Sequence, residues 1–135
     1  ARYLPRDQHH GDATAGWEDL RRLRLPVVTS SFVLDETLTL LARRTSYAFA
    51  AERARVLWSS TALEILRPEA DDEQAALGWF EKLADQKVSF TDCVSFALMR
   101  RRRLSRAFTF DRHFAAAGFE LWPAQWVAEP PGAAE

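Results

Sequence analysis

The chain has 135 residues and a formal net charge of −1, enough for one domain with a full core but without a global field to gather nucleic acid. No apolar run approaches the ~20 residues needed to cross a bilayer and no signal-peptide pattern opens the chain, so a cytoplasmic protein is expected. The single cysteine, Cys93, excludes an internal disulfide and reads as a buried, reduced thiol.

Residues 8–23 read as a helix, with Trp17, Leu20 and Leu23 recurring among charged neighbours. Pro26 interrupts, and Val27-Val28-Thr29 makes a short strand. Ser30 or Ser31 can then cap a helix reaching about Arg44, its apolar stripe including Phe32, Val33, Leu40 and Leu41. A second amphipathic helix covers 46–58, and Leu63–Leu66 alternates like a strand. Residues 69–86 form a long helix with an acidic start (Glu69, Asp71, Asp72, Glu73), as the helix dipole prefers. Val88–Phe90 reads as a strand, with Thr91 capping a helix from Asp92 to about Arg103. Ala107–Phe110 is another strand, followed by a short helix over 112–117 that stops at Gly118. Phe119–Trp122 is the last strand. A single domain is expected over 1–127, with a disordered tail over 128–135. Strands alternating with helices imply βαβ units and a three-layer α/β/α fold around a central parallel sheet.

Glu36, Asp92 and Asp111 each follow a strand-like run where the chain enters a helix. In a parallel sheet such positions share the carboxyl edge, where these folds place their sites. Carboxylates gathered there repel one another unless a divalent cation lies between them. Singly, each has a plainer explanation. Glu36 could bond a nearby arginine, Asp92 could favour a helix dipole, and Asp111 could cap the 112–117 helix. The argument rests on the three together.

Basic residues are lopsided, 16 arginines against Lys82 and Lys87. The planar guanidinium suits phosphate, though a GC-rich genome gives the same bias. Arg100–Arg103 is a run of four cations at a helix end, fit either for the dipole or for RNA phosphates. Arg112 and His113 flank Asp111 and, with Arg100, are candidates for RNA contact. His9-His10 lacks further metal ligands at a suitable spacing. A phospho-acceptor signalling domain would need a lysine near the last strand, where there is none.

In this order the pieces resemble the PIN-domain family, especially the toxin ribonucleases of VapBC toxin–antitoxin pairs. VVTSSFVLDETLTLLARR looks like the family's second strand and the helix carrying an acid, here Glu36. VSFTDCVSFALMRRRRL looks like its Thr-Asp turn into a helix, here Thr91 and Asp92, and AFTFDRHFAAAGFELW like its closing strand and turn, with Asp111. The resemblance implies about five strands in the complete protein. It also implies Glu36, Asp92 and Asp111 as catalytic metal ligands, Thr91 as a supporting hydroxyl, and Mg²⁺ or Mn²⁺ as cofactor. An RNA substrate cut by metal-activated water, a cognate antitoxin and a homodimer follow in the same way, with no membrane. The family's first strand, ending in a further Asp, has no counterpart in residues 1–135 and is expected to precede Ala1. Asp7 and Asp12 do not replace that Asp. A catalytically inactive PIN-fold module binding RNA or protein is the alternative that this departure leaves open.

Overall fold

The computed structural model describes residues 22, 26–109 and 111–122. Arg22 is helical. The rest of the predicted 8–23 helix, the His9-His10 pair, Asp7, Asp12, Phe110 and the tail over 128–135 lie outside the described residues. The chain divides into two compact units, one over Pro26–Arg102 and one whose described residues are 22, 103–109 and 111–122.

In the first unit, strand β1 (Val27–Ser30) pairs in parallel with β2 (Leu63–Leu66), Val27 opposite Leu63 and Ser30 opposite Leu66. Parallel strands need a long crossover. Here it is supplied by helices α1 (Ser31–Arg44) and α2 (Tyr47–Ser59), which pack together. The Val33 N–H donates to Ser30 Oγ at 3.1 Å, so Ser30 is the cap that starts α1. The Phe49 N–H donates likewise to Ser46 Oγ at the start of α2. Leu34, Leu41 and Ala42 form the buried stripe of α1.

Helices α3 (Ala70–Lys82) and α4 (Phe90–Arg101) make the most extensive packing of this unit. Trp79 meets Phe96 edge-on with centroids 5.5 Å apart, and Phe80 meets Phe90 at 5.7 Å. Helix α4 is buried over Cys93, Val94, Phe96, Ala97 and Leu98, too wide a set for one amphipathic stripe. Asp72, only 4% exposed, accepts from the Glu69 N–H at 2.9 Å and from Arg101 Nε at 2.7 Å. One buried carboxylate therefore caps the start of α3 and ties it to the end of α4. Arg102 adds a fork of two 2.9 Å bonds to Glu64 on β2. That hydrogen bond holds the Glu64 carboxyl below its usual range and lifts Arg102 above its own.

The predicted strand at Val88–Phe90 does not form. The long helix expected over 69–86 ends at Lys82, a 3₁₀ turn covers Ala84–Gln86, and Lys87 takes a left-handed φ of 55°. Phe90 already belongs to α4. The cap is Ser89 rather than Thr91, because the Asp92 N–H donates to Ser89 Oγ at 3.1 Å. A hydroxyl that satisfies a free backbone donor competes with strand pairing.

In the second unit, β3 (Arg106–Phe108) and β4 (Glu120–Trp122) are parallel, Arg106 opposite Glu120, joined through the short helix α5 (His113–Ala116). Gly118, at φ 98°, ends the turn after α5, a conformation that glycine adopts without a Cβ clash.

Phe96 is fully buried, so Phe96→Ala should lower unfolding free energy by about 3–5 kcal/mol in urea titration. Asp72→Ala, which strands the Glu69 N–H and frees Arg101, should cost about 1–3 kcal/mol.

Candidate active site

Glu36 is the sixth residue of α1, and its position follows from the Ser30 cap. It is exposed. The apolar stripe expected from the sequence includes Leu40, but Leu40 is itself 37% exposed and the buried stripe is Leu34, Leu41 and Ala42. Glu36 thus carries little desolvation penalty, and hydrated carboxylates keep the freedom to reorient toward a ligand.

Asp92 is the third residue of α4 and half-buried. It is reached from a capped turn, not from a strand end. The positive end of the helix dipole lies under its negative charge. Thr91 beside it is half-buried, and its carbonyl accepts from Ser95 Oγ. The next residue, Cys93, is fully buried, and its thiol is pushed up first by burial and then by the Asp92 charge. Helices α1 and α4, which carry Glu36 and Asp92, pack against one another.

Asp111 sits in a lattice of local bonds. Its N–H donates to Thr109 Oγ1 at 3.0 Å. Its Oδ1 accepts the His113 N–H at 2.9 Å and lies 3.0 Å from His113 Nδ1. Its carbonyl accepts the Phe114 N–H. Asp111 is not the cap expected from the sequence: α5 starts at His113 with Arg112 as its N-cap and no side-chain cap bond, and the Asp111 carboxylate instead closes a two-residue turn onto the His113 N–H. Thr109, Asp111 and His113 are thereby brought together, all half-buried, while Arg112 between them is exposed.

The arginine run divides by function. Arg101 and Arg102 hold Asp72 and Glu64. Arg100 lies 5.9 Å from the Trp79 ring centroid, and Lys82 lies 5.1 Å from it. Sequence reading missed these internal pairs, whose partners lie 29 and 38 residues away. The acidic first turn of α3 was the visible signal, but nothing in it names a partner.

Among the described residues neither Glu36 nor Asp111 pairs with an arginine, in a chain that holds 16 of them. Asp111 Oδ2 takes none of the bonds that fix Oδ1. Residues 36, 92 and 111 each carry a carboxylate, and carboxylate oxygens are the ligands that hard divalent cations such as Mg²⁺ and Mn²⁺ select. By donor type these residues fit such an ion.

A PIN-domain family model matches residues 2–120. The chain belongs to the PIN-domain family. Within it, the VapC-type toxin ribonucleases are its kin: it is 40% identical over 114 residues to the 23S rRNA-specific endonuclease VapC20 of two Mycobacterium tuberculosis strains, covering 84% of this chain and 83% of the relative. The crystal structure of M. tuberculosis VapC20, described as a sarcin–ricin loop cleaving toxin, superposes with a TM-score of 0.77 at 36% identity. That match covers 87% of this chain and 88% of the solved one. The PIN fold expected from the sequence is therefore the α/β architecture of this chain. No helix among the described residues of this PIN domain is long and apolar enough to cross a membrane.

The Cys93 thiol should resist labelling by an aromatic disulfide reagent at pH 8 in the native PIN domain and react fully once urea unfolds it, read by absorbance of the released thiolate.

Proposed function

We propose that this PIN domain is a metal-dependent endoribonuclease, the toxin of a toxin–antitoxin pair, with Glu36, Asp92 and Asp111 together holding Mg²⁺ or Mn²⁺. The observation that carries the reading is 40% identity to an rRNA endonuclease, in a chain that has carboxylates at all three positions. When bound, such a cation supplies Lewis acidity to water and to the phosphodiester.

The protein's own part is to hold oxygens ready. Asp92 is fixed by the Ser89-capped turn and Asp111 by Thr109 and His113. Glu36, exposed on α1, adjusts to the ion. No side-chain nucleophile is called for, and Cys93 is buried away from any substrate. Exposed Arg112 and Arg100 offer their guanidinium groups to RNA phosphates. The substrate to test first is 23S rRNA and its sarcin–ricin loop, the target named for the M. tuberculosis relative. Tyr47, Phe49, Val56 and Trp58 leave apolar surface open on α2, and Leu40 on α1. We assign that surface to antitoxin and to a second copy of the chain, because apolar area of this kind marks protein contacts.

The full chain, freed of any partner and given Mg²⁺ or Mn²⁺, should cleave rRNA fragments on a sequencing gel, and a chelator should stop it. Glu36→Gln, Asp92→Asn and Asp111→Asn should each slow cleavage roughly 100-fold or more, beyond the usual loss from a mere orienting partner. Glu36→Gln should leave stability within about 0.5 kcal/mol, as surface changes do. A wild-type protein that cuts no RNA with either ion would refute the assignment.

A further inference from the structure

We propose that His113 is a positioning residue. Its Nδ1–H holds Asp111 by Oδ1, so that Oδ2 is the oxygen offered to the cation. This rests on the reading of Asp111 as a metal ligand.

The geometry is confined to one turn of chain. An aspartate has two side-chain torsions, and an unheld carboxylate would trade its oxygens by rotation. Here one oxygen accepts the His113 backbone N–H at 2.9 Å and also lies 3.0 Å from the ring Nδ1. An ionised carboxylate only accepts, so a bond between the two puts a proton on the facing ring nitrogen. The backbone bond alone permits the carboxylate to rock about Oδ1. Donation from the ring nitrogen adds a second restraint on the same atom. The Asp111 N–H bond to Thr109 Oγ1 steadies the backbone beneath it. A carboxylate anchored in this way loses less freedom when its other oxygen takes up an ion, and this is how outer partners raise metal affinity.

A competing role, contact of His113 with RNA, would act through the ring's outer edge and would change RNA binding instead. Side-chain shape separates the two. Asparagine can set an amide N–H near the place of Nδ1, whereas glutamine sets one near Nε2.

The experiment is calorimetric titration of Mn²⁺, without RNA, into the full partner-free chain and three variants. His113→Ala and His113→Gln should weaken Mn²⁺ binding roughly 10-fold, while His113→Asn should stay within about threefold of wild type. In parallel, rRNA cleavage by His113→Ala should need correspondingly more Mn²⁺ and recover most of its rate when the ion is saturating. Wild-type Mn²⁺ affinity in His113→Ala, or equal rescue by glutamine and asparagine, overturns the proposal. A raised KM for RNA with unchanged Mn²⁺ affinity overturns it too, in favour of RNA contact. Should His113→Ala fail to fold, the contrast between asparagine and glutamine decides. A wild-type chain that binds no Mn²⁺ would instead remove the metal reading itself, which is a separate and visible failure.

Discussion

Side-chain oxygens that accept the loose N–H groups at three turns set where the acids stand. Ser30 starts α1, Ser89 starts α4, and Asp111 starts the turn into α5. A helix that began one residue later would rotate its whole face by about 100°, given 3.6 residues per turn. Glu36 and Asp92 are thus placed by hydroxyls several residues before them. The caps are worth only about 1 kcal/mol each, but their value to the site is angular rather than energetic.

The helix pair α3 and α4 supplies the rigidity on which the α4 turn depends. Its core is aromatic and aliphatic, from Phe96 and Trp79 to Val94 and Leu98. Its ends are fastened by charge, through Asp72 with Arg101 and Glu64 with Arg102. Exposed ion pairs contribute little in water, so the Glu64 fork serves geometry more than stability. The buried Asp72 is a different case, because removing either neighbour would leave a polar atom without water. A chain of net charge −1 with 16 arginines therefore uses part of its cation supply inside its own fold. Among the described residues Glu36 and Asp111 form no ion pair with an arginine.

How the three acids are held differs. One is exposed on a helix, one sits on a helix start, and one lies beside a histidine. Cys93 lies next to Asp92 in sequence yet is closed off from solvent, so the soft ligand closest in sequence to that acid is withdrawn.

The sequence by itself determined the element types for most of the described chain, since helical spacing through 31–44 and 46–58 and the β-branched Val27-Val28-Thr29 are local signals. It also determined which three acids to consider, because each follows an apolar run and the order of motifs is that of PIN domains. Some features were beyond it. The Val88–Phe90 strand failed because a serine hydroxyl and a left-handed Lys87 redirect the chain, a competition between local bonds that hydrophobic pattern does not weigh. Leu40, apolar by type and expected in the buried stripe of α1, is exposed by packing. The pairing of Arg101 with Asp72, of Arg102 with Glu64, and the approach of the His113 ring to Asp111 were settled only in three dimensions. Hydrogen bonds are directional and short-ranged, so their partners are chosen by the folded backbone and not by the residue types that take part.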